Sequence, residues 1–253
     1  ILSADLVTNG DFSQIGSELV TNGDFATNSD WNLQSNAIIE NNTLKFNGSS
    51  VIVFATQSLY SSGLYNSKTL QFSYEIISNN LVGSGNLRVG GFSGGSIFPN
   101  LSNLETSVGI HTVYTSINAT GANNVLDLYI TGGYSSGTLV IDNVSVKEVG
   151  QNWSVTDSDA NNYVVFNGST ARLKFLNTSP VTTFRTTDVI LTSGKTYKLT
   201  VDIAVATSGG IKIDGNGISE TFNTIGVNTR IINPTVNTSV QFYRATGNVD
   251  LTF

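Results

Sequence analysis

Three tyrosines in polar, glycine-containing stretches are the side chains of this sequence best suited to hold a ligand. Tyr60 and Tyr65 lie within residues 58–66, and Tyr134 lies within residues 132–135. An exposed aromatic ring can stack on the apolar face of a sugar while neighbouring polar groups bond to its hydroxyls. The sequence therefore predicts three candidate ligand-binding rings. The alternative is that each tyrosine covers one end of a hydrophobic core.

The segment 157–161, Asp-Ser-Asp-Ala-Asn, has the oxygen-ligand spacing that opens a calcium-binding loop. That loop also needs Gly at its sixth position and Glu at its twelfth. This sequence has Asn162 and Gly168 there. Because the segment also leads into a predicted strand rather than a helix, we interpret it as a solvated turn.

No residue pattern indicates catalysis. The chain has no Cys and a single His, His111, which lies in an alternating stretch that predicts a strand with His111 on the solvent side. Hydrolysis by paired carboxylates needs two acids about 5–10 Å apart, and no Asp or Glu pair stands out from turn positions. The sequence contains no nucleophile elbow, phosphate-binding loop or His-based zinc motif. It therefore predicts a protein that is not an enzyme.

The element that must position these side chains begins with a repeated heptapeptide, Leu-Val-Thr-Asn-Gly-Asp-Phe. It occurs at residues 6–12 and again, unchanged, at residues 19–25. Each copy has the pattern of a short strand, an Asn-Gly turn and an aromatic anchor. We interpret the second copy as the start of a domain and the first as surplus. Residues 1–18 are therefore predicted to be an extended N-terminal arm, free to pair with the sheet edge of another copy.

Alternating apolar and polar residues predict a first β-rich domain over residues 19–149. The clearest case is residues 69–76, where every second side chain is apolar. Residues 43–46 and 50–54 flank Asn47-Gly48, which predicts a two-strand hairpin. No window of helical length shows a convincing 3.6-residue apolar period.

A second domain over residues 150–253 repeats this plan without the heptapeptide. Trp153 matches Trp31, residues 166–169 match residues 46–49, and residues 240–243 match residues 126–129. Shifting offsets in a constant order are typical of a duplicated domain with loop insertions. The fold prediction is all-β: two tandem antiparallel β-sandwich (jelly-roll) domains. The terminal strand of the second domain looks incomplete at Phe253.

Composition excludes some classes of partner. The 253 residues carry a net charge of −6, which disfavours nucleic-acid binding. No apolar run approaches the roughly 20 residues of a membrane span, so we expect no membrane insertion. Only 12% of residues are charged, and such a neutral polar surface is common in extracellular and virion proteins.

Residues 22–25, Trp31 and residues 141–146, Ile-Asp-Asn-Val-Ser-Val, resemble the start, tryptophan and terminal strand of carbohydrate-binding modules of families 4, 9 and 22. The resemblance implies a galactose-binding-like jelly roll and a structural calcium ion held by Asp24 and Asp142. The family often has Glu after the Phe, where this chain has Ala26. The alternative, which we prefer, is that Asp24 bonds within its own turn and Asp142 ends a strand. No other cofactor is expected.

Residues 8–25 also resemble the multiplied start segments of repetitive tailed-bacteriophage proteins. This resemblance implies a non-enzymatic virion structural protein, a fibre, tail-tip or capsid decoration on the particle surface. Expected partners are other virion proteins, further copies of the chain in a homo-oligomer, and host-surface glycans. Two alternatives remain: a carbohydrate-binding region of a secreted bacterial glycoside hydrolase, and a polymerising surface filament or adhesin.

Overall fold

The structure is a computed structural model that describes residues 4–59, 68–90, 98, 101–116, 124–156, 161–176 and 181–253. These residues form β-strands, turns and loops, with no helix among them, so the predicted all-β class is confirmed. Every strand pair with a defined register among them is antiparallel, for example β6 (Thr69–Asn79) with β10 (Gly109–Ser116). None of the described residues forms a helix long and apolar enough to cross a membrane.

The strands of the amino-terminal half are β1 (Ile15–Glu18), β2 (Asn32–Gln34), β3 (Ala37–Glu40), β4 (Thr43–Asn47), β5 (Val53–Ser58), β6, β7 (Val82–Gly83), β8 (Leu87–Val89), β9 (Leu101–Leu104), β10, β11 (Val125–Ile130), β12 (Tyr134–Ser136) and β13 (Thr138–Val149). Those of the carboxyl-terminal half are β14 (Trp153–Thr156), β15 (Asn162–Phe166), β16 (Ala171–Phe175), β17 (Thr183–Thr186), β18 (Tyr197–Ile203), β19 (Val205–Ser208), β20 (Ile211–Gly215), β21 (Ile218–Phe222), β22 (Gly226–Ile232), β23 (Gln241–Arg244) and β24 (Val249–Thr252).

The chain folds into two compact units whose boundaries differ from the predicted ones. One unit, here called the inserted unit, is Gly16–Glu148. The other, the split unit, combines Ile1–Ile15 with Val149–Phe253. In chain order the units are therefore nested rather than tandem. The predicted arm of residues 1–18 is divided between them.

The inserted unit has two main sheets around one core. One has the order β10-β6-β13-β4-β3, with β1 also pairing with β13, and the other has the order β2-β5-β11-β8-β9. Side chains of both sheets meet in a single cluster that includes Phe46, Phe72, Ile141, Ala55 and Leu128. Because side chains alternate across a strand, one face of each sheet fills this core. The observed arrangement is a β-sandwich.

The predicted hairpin at Asn47-Gly48 is wrong. β4 pairs with β3 and β13, whereas β5 pairs with β2 and β11 in the other sheet. Gly48 N–H donates to the Gly137 carbonyl at 2.8 Å, and a Cβ on Gly48 would lie 2.5 Å from Ser136 O. The glycine therefore permits a close approach of two backbones where the chain crosses between sheets. The hairpin lies one strand earlier, where Asn41 and Asn42 turn with φ of 54° and 56°.

The split unit follows the same plan. One sheet has the order β14-β17-β23-β20-β21, a second has β15-β16-β24-β19, and β18 pairs with β22. The terminal strand β24 lies between β16 and β19, and Phe253 exchanges backbone hydrogen bonds with Ala171. Here the second Phe-Asn-Gly-Ser, residues 166–169, does form the β15–β16 hairpin. Residues 166–169 are therefore not the structural counterpart of residues 46–49.

The second heptapeptide anchors the inserted unit through its last four residues. Asn22 and Phe25 both have positive φ, and Phe25 N–H donates to the Asn22 carbonyl. The turn directs the Phe25 ring into the core, where its centroid lies 5.4 Å from that of Trp31. The indole Nε1 of Trp31 donates to the Asn22 carbonyl at 3.0 Å. The tryptophan thus holds the turn through both its ring and its N–H.

The first heptapeptide makes the same contacts in the split unit, so it is not surplus. Phe12 N–H donates to the Asn9 carbonyl, and the Phe12 ring lies 5.4 Å from the ring of Trp153. Trp153 Nε1 donates to the Asn9 carbonyl at 2.9 Å. Phe12 is also packed against Phe166 and Phe184. The predicted second domain therefore does have a heptapeptide start, which the chain supplies from its other end.

Candidate functional site

Of the three predicted ligand-binding tyrosines, Tyr134 lies among the described residues. Tyr60 and Tyr65 lie outside the described residues. Tyr134 begins β12, is half-buried and packs against the core of the inserted unit. Its ring lies so close to Gly85 that a Cβ there would be 2.2 Å from Cε2, and burial raises the pKa of its hydroxyl. This placement matches the alternative interpretation of a ring covering the end of a core, and ligand binding by Tyr134 stays a prediction.

The carboxylates of the two predicted calcium ligands, Asp24 and Asp142, lie close enough to interact electrostatically. Burial raises the pKa of Asp142, and the nearby charges of Glu75 and Asp24 raise it further, against the effect of the Asn143 N–H bond. Asp24 Oδ1 accepts from Ala26 N–H at 3.3 Å, and Glu75 accepts from the Asn143 side-chain amide at 2.7 Å. No group of three or more acidic, His or Cys side chains in the described part of the chain could hold a metal ion. The calcium site therefore stays a prediction.

A better-supported candidate lies on the non-core face of the five-stranded sheet of the inserted unit. Backbone register places Gln34, Phe54, Tyr129 and Arg88 side by side on β2, β5, β11 and β8. The alternate side chains of these strands fill the core: Val53, Ala55, Leu87, Val89, Leu126, Leu128 and Ile130. The row therefore points to the opposite side of the sheet. We call this surface the Tyr129 face.

A second row on the Tyr129 face is polar. Asn32 pairs with Thr56, and Thr56 pairs with Asp127. Accessibility falls across the sheet: Asn32 and Gln34 are exposed, Thr56 is half-buried, and Asp127 is fully buried. Burial of a carboxylate is costly unless the group has a partner, and Asp127 does have one. The face is thus an amide-rich edge that grades into a buried acidic and aromatic centre.

The centre of the Tyr129 face holds an unsatisfied donor. Tyr129 is 4% exposed, and its hydroxyl donates to the Gly90 carbonyl at 3.5 Å. Arg88 on the next strand is half-buried, and its buried Nε has no hydrogen-bond partner among the described residues. Buried polar groups normally have a partner, so the unpaired Nε of Arg88 stands out among the described residues.

The split unit presents a related face on its corresponding sheet. Tyr243 on β23 pairs with Lys212 on β20, as Tyr129 pairs with Arg88. Gln241 pairs with Arg185 on β17, which in turn pairs with Ser154 on β14. Tyr243 and Gln241 are half-buried and Arg185 is exposed. The predicted match of residues 240–243 to residues 126–129 thus agrees with the strand order of the two units.

Sequence reasoning missed both faces. The rings predicted to bind a ligand are those of predicted loops, whereas Tyr129 and Tyr243 lie in strands. The sequence does contain a signal, which is the alternation of side chains along a strand. Tyr129 alternates with Leu126, Leu128 and Ile130, so it cannot share their core face. Only the sheet order reveals that a cation lies beside each ring.

No family model matches the sequence, and no curated protein matches it. Among solved structures, one described as "CBM4 structure and function" is similar with 16% sequence identity and a TM-score of 0.28. That likeness covers 56% of this chain and 98% of the other chain.

Proposed function

We propose that this chain is a non-catalytic binding protein that holds a glycan on the Tyr129 face of the inserted unit. The observation that carries the proposal is the row on the Tyr129 face, which runs from half-buried Arg88 past the half-buried Phe54 ring to the exposed amide of Gln34. Sugar hydroxyls accept bonds from guanidinium and amide donors, and the Phe54 ring adds an apolar surface.

The test is a glycan array probed with the whole chain and followed by titration of the sugars it retains. Gln34→Ala and Phe54→Ala together should weaken binding by at least 10-fold, since they remove one amide and the half-buried ring. Tyr243→Ala is the matched control on the split unit and should leave this binding unchanged. The unfolding midpoint of the inserted unit must also stay unchanged in the double variant. Failure of the whole chain to bind any sugar would overturn the proposal.

We also propose a setting on the surface of a tailed-bacteriophage particle, as a fibre, tail-tip or decoration protein. The resemblance of residues 8–25 to repeated phage segments supports this setting, as does the low share of charged residues. Antibodies against the chain should label intact purified particles in electron microscopy. Labelling of a secreted glycoside hydrolase instead, or of a bacterial surface filament, would favour one of the two alternative settings.

A further inference from the structure

The first heptapeptide is held in the split unit at few points. Of residues 4–12, only Phe12 is buried. The segment forms no strand, so none of the hydrogen bonds between strands of the split unit depends on it. Its anchors are the Phe12 ring, the Asn9 carbonyl and the Asn9 side chain, whose Nδ2 donates to the Gln151 carbonyl at 2.7 Å.

The second heptapeptide is locked more firmly into its own unit. The Gly23 carbonyl accepts from Val144 N–H, and a Cβ on Gly23 would lie 2.0 Å from Val144 O. The Gln57 side chain also bonds to both the N–H and the carbonyl of Thr21. By contrast, the three atoms nearest to a Cβ on Gly10 would all belong to Val7, at 3.4 Å or more. Among the described residues, no side chain holds Thr8 in the way that Gln57 holds Thr21.

The contacts that the two copies share do not depend on how each copy is connected to its tryptophan. Trp31 lies nine positions after Asn22, whereas Trp153 lies 144 positions after Asn9. The ring-to-ring distance is nevertheless 5.4 Å in both cases. Recognition therefore resides in the heptapeptide and in the site, here called the Trp153 site, formed by Gln151, Trp153, Phe166 and Phe184.

We propose that the Trp153 site also binds residues 6–12 of a second copy of this chain, so that copies exchange their amino-terminal segments. The site contains three aromatic side chains and is formed entirely by Val149–Phe253. Departure of the segment would expose this apolar surface, and the strongest available replacement is the same segment from another copy. Residues 13 and 14, which lie between the segment and β1, are exposed and belong to no strand. They can therefore be redirected without uncovering a core.

The test pairs two full-length variants. Phe12→Ala removes the anchor and leaves the site intact, whereas Trp153→Ala removes the site and leaves the segment intact. Each alone should remain monomeric by light scattering, and an equimolar mixture should form a one-to-one complex. Phe25→Ala replaces Phe12→Ala in the control mixture and should give no complex. Absence of a complex, with both variants retaining a folded inserted unit, would overturn the proposal.

A second measurement covers the case in which Trp153→Ala unfolds the split unit. A fluorescent peptide with the sequence of residues 4–15 is titrated into the Phe12→Ala chain. It should bind at least 10-fold more tightly to this chain than to the wild-type chain, whose site is already filled. The same peptide with Ala in place of Phe should not bind. Equal binding of both peptides, or no binding of either, would also overturn the proposal.

Discussion

The indole of Trp153 donates a hydrogen bond to the backbone carbonyl of Asn9, 144 positions earlier in the chain. The whole inserted unit lies between these residues in sequence. Trp31 makes the same bond to Asn22 within the inserted unit. Each of the two identical heptapeptides thus binds its own tryptophan. The second copy is close to Trp31 in sequence, whereas the whole inserted unit separates the first copy from Trp153 in sequence.

Phe12→Ala should destabilise the split unit by about 3 kcal/mol, because it deletes a buried ring that contacts three aromatic side chains. Ala at this position keeps the positive φ of 57°, so little backbone strain is relieved. Urea unfolding followed by tryptophan fluorescence should show one transition shifted and the other unchanged. Phe25→Ala is the matched control and should shift the other transition. Identical effects of the two changes on one transition would contradict the assignment of each copy to its own unit.

Replacing Asn9 separates its side-chain bonds from its backbone conformation. Its Oδ1 accepts from Gln14 N–H at 2.9 Å, its Nδ2 bonds to Gln151, and its φ is 55°. Asn9→Gly should cost about 1 kcal/mol for the lost bonds. Asn9→Ala should cost about 1 kcal/mol more, because a Cβ disfavours positive φ. Thermal unfolding of the two variants measures the difference, and equal midpoints would mean that the backbone conformation costs nothing.

Removal of the inserted unit should leave the split unit folded. The chain enters the inserted unit through β1 and leaves it through β13, and these two strands pair with each other. Leu19 N–H, just after β1, donates to the Val146 carbonyl at 3.0 Å. We expect a short Gly-Ser linker in place of Gly16–Glu148 to give a single cooperative transition with buried Trp153 fluorescence. The same deletion with Phe12→Ala is the control and should lose stability, whereas an unfolded product of the simple deletion would refute the expectation.

Asp142 should make the inserted unit less stable as pH rises. Burial is the main cause of its raised pKa, so the folded state binds its proton more tightly than the unfolded state does. The stability from the protonated form is fully present below the unfolded pKa of about 3.8 and is lost as pH rises through the higher folded pKa. Asp142→Asn should remove this loss and raise the unfolding midpoint at neutral pH. Unfolding midpoints of the wild-type and Asp142→Asn chains, measured from pH 3 to pH 7, test this. Equal changes of the two midpoints over that range would contradict it.

The Tyr74 hydroxyl should resist ionisation. Burial, with the charge of Glu105, raises its pKa to about 12, although the hydroxyl also donates to the Glu105 carbonyl at 2.8 Å. Ultraviolet titration should therefore show that the last tyrosine to ionise does so well above the exposed ones. The Tyr74→Phe chain is the control and should lack that last step. Ionisation of all tyrosines near pH 10 in the folded wild-type chain would contradict the placement.

Short-range features of this protein follow from its sequence because they depend on side-chain alternation and turn chemistry. Residues 69–76 alternate, and in β6 the apolar half does lie in the core. The repeated heptapeptide and the match of Trp31 to Trp153 are also evident from the sequence. Partner choice depends instead on packing between distant segments. Phe-Asn-Gly-Ser is a hairpin at residues 166–169 and a crossing between sheets at residues 46–49, although the four residues are identical.

The same limit explains the first heptapeptide. Because the two heptapeptides are identical, their sequence does not specify which tryptophan each of them binds. The second copy lies only a few residues before Trp31 and fills that site, which leaves Trp153 for the first. Tertiary structure also decided that Tyr129 lies beside Arg88, because a strand order is set by which sheet edges the folded chain brings together. Sequence alone thus determined the elements and their faces, and long-range packing decided which of them meet.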